Sequence, residues 1–424
     1  MKLKPELRAQ VDDEGRLVLP PEVVSRFGLE PGTQILIDEG GSNLRLRRPV
    51  TYLSKVYVEP TNRCNLECRI CIRNNWDGPL GQMSSETFLR IVEGLKLFSP
   101  SPTVFFGGFG EPLAHPDIAE MVAQAKALGS RVELVTNGTL LTKERSRQLI
   151  DAGLDMLWVS LDGATPESYA DVRLGAALPE VLANLRDFSD ARGHGGSYYY
   201  FFPDASVRPQ LGIVSVVMKR NIADLPSVIR LGNRVGATQF LVTNVLPYTA
   251  DMCKEVLYSR ALSDLACVPS SYRRELPRIN IDKDTTEPLF WTIRNGHTLT
   301  LAGANLAEGK DRCPFIEKGA TAIAWDGSLT PCLPLLHNHT SFMNDQQRVS
   351  KRYVIGNVVE RDLSDLWNDR EYITFRDRVQ RFDFSPCTFC GGCDLSERNQ
   401  EDCFGSPFPA CGACLWAQGV IQCP

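Results

Sequence analysis

Three things are missing from this chain of 424 residues. No apolar run approaches the roughly 18 residues that a membrane-spanning helix requires, so no span is expected. The first residues, Met1-Lys2-Leu3-Lys4-Pro5-Glu6, carry no apolar core of a secretory signal, which points to the cytoplasm. A basic surplus is absent too. The formal net charge of −5 disfavours a non-specific nucleic-acid binder, which must neutralise phosphates. What is left is 43% hydrophobic and 23% charged, the balance of a globular protein. The length suits two or three domains, each with a core of its own.

Cysteine is abundant by contrast, with 14 residues, most of them clustered. A reducing compartment keeps thiols out of disulfides, so metal or cluster ligation is the better account of them. Cys253 and Cys267 stand alone and read as ordinary thiols. The first cluster is Cys64-x3-Cys68-x2-Cys71, on a loop directly after the apolar run Val56-Tyr57-Val58. Three thiolates on one loop suit three irons of a [4Fe-4S] cluster, leaving the fourth iron open to another ligand. Structural zinc asks for four closed ligands instead. With this spacing after a strand, the chain resembles the radical S-adenosylmethionine (SAM) superfamily.

From residue 55 to about 250, strands and helices alternate. The strands are expected at Lys55–Val58, Thr103–Phe106, Arg131–Val135, Met156–Ser160, Gly212–Met218 and Gln239–Thr243. Between them, helices are expected from Ser84 toward Phe98, and over Asp117–Leu128, Thr142–Ala152, Pro179–Ala191 and Ala223–Val235. This alternation predicts an α/β fold: a parallel sheet with right-handed crossovers. Six units suit an open, partial (β/α)6 TIM-like barrel rather than a closed one of eight.

Chemistry in such barrels gathers at the carboxyl ends of the strands. There stand Gly107-Gly108-Phe109-Gly110-Glu111-Pro112, then Thr136-Asn137-Gly138, then Ser160-Leu161-Asp162-Gly163. Each alone is equally a strand-to-helix turn. Following the cysteine loop in order, they read as a site. The resemblance implies that Gly108, Gly110, Glu111 and Pro112 receive the methionyl amino group of SAM. It places Ser160, Asp162 and Arg173 toward the ribose and carboxylate, and Leu246, in Val245-Leu246-Pro247, against the adenine, with Asn137 a further cofactor-binding candidate. Ile70 stands where the family commonly has an aromatic residue, so altered adenine contacts are expected. The implied chemistry is reductive cleavage of SAM to a 5′-deoxyadenosyl radical that removes a substrate hydrogen. No catalytic residue is named beyond the cofactor.

The first fifty residues form a separate pattern: turn and strand around Gly15 and Leu17, a helical piece from Pro21 to Phe27 stopped by Gly28, then a hairpin from Gln34 to Arg47. Gly15, Arg16, Pro20, Leu29 and Gly32 resemble the AbrB/SpoVT swapped-hairpin module, which implies a homodimer and, in that family, DNA binding. Eight basic residues meet eight acidic ones in this stretch, so dimerisation or substrate docking is the favoured reading over DNA binding. A small appended domain that only stabilises the fold stays open. So does the role of Gly193 to Pro203, with Tyr198 to Phe202 all aromatic, as a lid or as a surface insertion.

The second group of cysteines comprises Cys313, Cys332, Cys387, Cys390, Cys393, Cys403, Cys411, Cys414 and Cys423. Trp325 to Leu329 reads as a tight hairpin delivering Cys332. The Gly327-x4-Cys332 element and Ile355-Gly356-Asn357-Val358 with Leu366-Trp367 resemble a SPASM domain, which implies two auxiliary [4Fe-4S] clusters. Eight thiolates suffice for two, with Cys423 as the expected non-ligand. Cys313 and Cys332 are expected on the nearer cluster, Cys387 and Cys390 on the farther. Zinc at Cys411-x2-Cys414 is the alternative.

The domains are therefore expected at 1–50, 51–250, a bridge at 251–310, and a cysteine-rich unit at 311–424. The resemblance implies a radical SAM maturase that installs a cross-link, thioether or small ring in a peptide or protein. Its electron donor would be a ferredoxin or flavodoxin. A maturase of a tungsten-cofactor oxidoreductase is an alternative within the same chemistry, and an iron-sulfur redox-sensing DNA regulator is the rival from another class.

Overall fold

The computed structural model describes the chain apart from residues 1–6, 30, 41–42, 77, 194–207, 259–282, 286, 288–298, 302–311, 344–345, 386 and 388–392. Cys267, Cys390, the aromatic run after Gly193 and most of the expected bridge lie outside the described residues. The remainder opens with two small antiparallel pairs, β1 (Gln10–Val11) with β2 (Leu17–Val18) and β3 (Ile37–Gly40) with β4 (Asn43–Leu46). Asp12 Oδ1 makes the first turn by accepting from the backbone N–H of Glu14 and Arg16. The helix Pro21–Phe27 between the pairs stops at Gly28, whose φ of 64° is cheap only for glycine.

The main sheet holds β5 (Lys55–Val58), β6 (Thr103–Phe106), β7 (Val132–Thr136), β8 (Met156–Ser160), β9 (Gln210–Val217) and β10 (Gln239–Asn244), all parallel and in sequence order. Apart from β7, where buried and half-buried residues alternate, their residues are buried almost without interruption, as strands covered on both faces must be. Helices cross outside. The first, Ser85–Leu95, begins where Ser84 accepts from the Thr87 N–H and buries Phe88, Ile91, Val92 and Leu95 on one face.

Three features were not anticipated. A short helix over Pro166–Val172 follows β8, started by a reciprocal cap between Thr165 and Ser168 with proline in its first turn. A seventh parallel strand, β11 (Leu299–Leu301), joins β10. On the far side, β12 (Ala320–Ile323) pairs in parallel with β5, Ile323 opposite Val58. It turns at Gly327 into β13 (Ser328–Thr330), which pairs with β16 (Gly356–Asn357). The carboxyl-terminal unit thus continues the barrel sheet instead of standing apart.

That unit also holds the hairpin β14 (His339–Met343) and β15 (Gln346–Ser350), and the helix Arg370–Arg381. The last residues return to the barrel. Asn244 Nδ2 donates to the Val420 carbonyl at 3.0 Å, and Tyr57 donates its hydroxyl to the Pro424 carbonyl at 2.7 Å. Among the described residues no helix is long and apolar enough to cross a membrane.

Candidate active site and auxiliary cluster cavity

The cysteine loop leaves β5 at its carboxyl end and is stitched down on both sides. Asn62 accepts from the Gly81 N–H at 2.7 Å and donates to the Pro79 carbonyl, while Arg69 N–H reaches the Val172 carbonyl at 3.0 Å. Across it, the Glu111 N–H donates to the Arg63 carbonyl at 2.8 Å. A Cβ on Gly110 would lie 2.1 Å from the Thr61 carbonyl oxygen, so only glycine lets the two loops meet. A Cβ on Gly108 would meet the Glu59 side chain.

These loops enclose an open cavity of about 210 Å³. Cys64, Cys68 and Cys71 face it, together with Gly108, Gly110 and Glu111 from the second loop. Asn137, Ser160 and Arg173 complete its wall. Amide and guanidinium N–H groups reach the sulfurs: Asn137 Nδ2 lies 3.8 Å from Cys64 Sγ, and Arg173 Nη1 lies 3.9 Å from Cys68 Sγ. Burial pushes the Cys64 and Cys71 thiols up, so the metal-free pocket holds them protonated. Iron binding would displace those protons. A three-thiol set with nearby N–H donors and an open side fits a [4Fe-4S] cluster that takes its fourth ligand from SAM.

Glu111 is fully enclosed, and its carboxylate already accepts from the Thr136 hydroxyl, the Asn137 N–H and the Leu113 N–H. Burial raises its carboxyl while these donors lower it. With its own N–H on the Arg63 carbonyl, it ties three loops together at the cavity wall.

Three expected SAM contacts sit elsewhere. Asp162 is buried behind the wall, where it pairs with Arg173 at 2.6 Å and accepts from the Val216 N–H, so it orients Arg173. Pro112 is buried at the start of the turn Pro112–Ala114. Leu246 lines a different cavity, because the chain turns as it leaves β10; Tyr248, two residues on, faces the cysteine loop. Phe109 and Tyr248 line the cavity without having been singled out in the sequence. The only sequence signal for Tyr248 is its place just beyond Pro247.

Leu246 walls a second cavity, more enclosed and about 70 Å³, into which Cys313, Cys332, Cys411 and Cys414 all face. The expected pairing of Cys313 with Cys332 thus gains the Cys411-x2-Cys414 knuckle. Burial pushes the Cys313 thiol up to about 12, and Cys332 and Cys411 well above the ordinary thiol range. Among the described residues no three His, Cys, Asp or Glu side chains close on a single ion. Four sulfurs around one void suit a multi-iron cluster better than a lone zinc at Cys411 and Cys414.

Cys387 is buried against Ala413, at the rim of that void, with Cys403 near it. Cys393 is exposed and caps the turn Asp394–Glu397. Cys423 lines neither cavity and lies 3.4 Å from the indole nitrogen of Trp416, which walls the four-cysteine one.

Comparison with known proteins follows the same division. The model of the radical SAM superfamily matches residues 58–206, and that of an iron-sulfur cluster-binding domain, SPASM, matches residues 313–394. A tungsten-containing aldehyde ferredoxin oxidoreductase cofactor-modifying protein of Pyrococcus furiosus is 30% identical over 373 residues, 87% of this chain and 96% of that protein. In fold, anSMEcpe with bound AdoMet aligns with a TM-score of 0.53 at 16% identity, over 87% of this chain and 92% of that one. SuiB of Streptococcus suis bound to its precursor peptide SuiA aligns at 0.51 and 15%, over 80% and 70%. With its cysteine loop on a radical SAM barrel and its SPASM domain for auxiliary iron-sulfur clusters, the chain belongs to the radical SAM superfamily and is an enzyme of the SPASM subfamily.

Proposed function

We propose that this enzyme is a maturase that takes a hydrogen atom from a peptide or protein side chain and leaves a cross-link, thioether or small ring. One observation carries the reading. Leu246 walls the four-cysteine cavity and Tyr248 walls the SAM cavity, so the two redox sites lie back to back across one short segment. A substrate at the mouth of the SAM cavity would have an electron acceptor close behind it. When bound, the cluster and SAM together supply the hydrogen-abstracting chemistry. The chain's residues hold that pair, shield it, and aim the opening. The peptide-bound SuiB fold supports a peptide or protein as substrate.

The Pyrococcus relative favours a second reading in the same class, action on a tungsten-cofactor oxidoreductase. In either case a ferredoxin or flavodoxin would supply electrons, the cytoplasm would keep the thiols reduced, and the amino-terminal module would pair two copies.

The test is made on anaerobically reconstituted protein with dithionite and SAM. The wild type is expected to release 5′-deoxyadenosine and the Cys68→Ala variant none; equal release would overturn the reading. Co-production with a small peptide encoded beside the gene, or with a tungsten oxidoreductase, then assigns the substrate by mass spectrometry. A mass change in the peptide supports the first reading, and one confined to the tungsten cofactor supports the second.

A further inference from the structure

Arg348, on β15, is a buried cation whose side chain lines the four-cysteine cavity. Among the described residues it has no carboxylate partner, and its recorded hydrogen bond runs from Nη1 to the Ser396 carbonyl. The chargeable groups that bear on it are the sulfurs of Cys387, Cys411 and Cys414 and the imidazole of His339, which lines the same cavity. A guanidinium so enclosed, with no carboxylate beside it, is costly in a protein interior. Folding tolerates it when an anion arrives.

The anion is at hand in the loaded protein. A [4Fe-4S] core held by four thiolates is net negative, and each added electron makes it more so. Cys411 and Cys414 line the enclosed cavity, whereas Cys387 stands outside its lining, packed on Ala413. The Ser396 carbonyl lies three residues beyond Cys393, on the turn that Cys393 caps. One side chain therefore reaches both cysteine groups.

We propose that Arg348 is the shared counter-ion of the two auxiliary clusters, raising the reduction potential of each and fastening their two loops together. Being buried, its effect is little screened by salt. It is a positioning and tuning residue, acting on the clusters and not on the substrate.

The experiment is a potentiometric titration, followed by electron paramagnetic resonance, of the full chain reconstituted anaerobically. Arg348→Met is expected to lower both auxiliary potentials, leave the SAM-binding cluster's potential in place, and retain full iron. Arg348→Lys, which keeps the charge, is expected to stay near wild type. A second readout is thermal unfolding: Arg348→Met should melt higher than wild type without metal and lower when loaded. If the methionine variant loads poorly, Arg348→Gln takes its place, since it keeps a donor for the Ser396 carbonyl without the charge. Failure of both neutral variants to load, beside full loading of the lysine variant, also supports the counter-ion. Unchanged potentials in a fully loaded neutral variant, or a shift in one auxiliary cluster alone, would overturn the proposal.

Discussion

Nε2 of His337 lies 2.8 Å from Oε2 of Glu59, joining the SPASM domain to the residue that follows β5. Glu59 is wholly buried, and its other oxygen accepts from the Phe109 N–H at 3.1 Å. Trp76 stacks obliquely on the imidazole with ring centroids 4.3 Å apart, and Phe109 meets it edge-on. Removing one partner of such a pair leaves a buried carboxylate under-satisfied. His337→Ala is therefore expected to cost about 3 kcal/mol of stability. Glu59→Gln should cost less, and the double variant less than the sum of the two. Unfolding of the three variants beside wild type measures the coupling, and strict additivity would mean that the pair is not one unit.

The enclosed cavity makes a sharper claim about iron. Three clusters require roughly twelve irons per chain. Cys332→Ala is expected to lose about four of them, because Cys332 faces the void with three other thiols. Cys423→Ala is expected to lose none, since Cys423 instead accepts from the Trp416 indole N–H. Iron and acid-labile sulfide analysis of reconstituted variants decides the matter. Iron loss from the Cys423 variant would make that sulfur a ligand.

Much of this was legible in the sequence because it depends on local chemistry. Apolar runs alternating with helical stretches place the six parallel strands and their crossovers. The C-x3-C-x2-C spacing and the loops after β6, β7 and β8 hold most of the residues that line the cavity beside the three cysteines. What stayed hidden depends on contacts far apart in the chain. Nothing local says that Ile323 pairs with Val58, or that Cys411 and Cys414 return to Cys313 and Cys332. Leu246 and Tyr248 differ only in which way an irregular stretch faces after β10, and no periodicity applies there. Asp162 has the residue type of a ligand contact, yet its pairing with Arg173 turns it away from the cavity.

Lys55 gives a pH dependence with a definite sign. Burial pulls its ammonium down to about 8 although Glu133 stands 3.2 Å away. The unfolded chain holds the proton to about 10.4. Below pH 8 the folded state carries the full cost of the buried charge, and that cost falls away as pH rises from 8 to about 10.4. The shift corresponds to about 3 kcal/mol, since each unit is about 1.4 kcal/mol. Lys55→Met should therefore change stability relative to wild type in wild type's favour between pH 8 and 10, with Arg131 still pairing Glu133 at 2.7 Å. Melting curves of both proteins across that range test it; a constant difference would mean that Lys55 does not titrate there.

The amino-terminal module leaves apolar side chains bare. Val11 is 70% exposed and Leu44 72%, with Leu17 and Ile37 also exposed, while Arg47, paired with Asp38 inside the module, anchors it to the SPASM domain through Glu317. A pair of short hairpins buries too little to stand alone, and a second copy would cover these residues. Val11→Asp with Leu44→Asp is expected to turn a dimer into a monomer without loss of iron. Light scattering after size exclusion reads the mass, and a monomeric wild type would refute the dimer.

Gly110 tests whether the two loops must touch for the site to exist. A methyl group there would meet the Thr61 carbonyl oxygen at 2.1 Å and the Arg63 carbonyl oxygen at 2.6 Å, both backbone atoms that cannot swing aside. Gly110→Ala must therefore push the glycine loop off the cysteine loop, breaking the bond from the Glu111 N–H to the Arg63 carbonyl. Gly78 offers the control, because nothing lies within 4 Å of the place its Cβ would take. The Gly110 variant is expected to load its auxiliary iron and yet bind SAM at least tenfold more weakly, a loss of about 1.4 kcal/mol or more. Gly78→Ala should bind as wild type does. Calorimetric titration of SAM into reconstituted protein measures both, and wild-type affinity in the Gly110 variant would show that the cavity does not need the contact between its two loops.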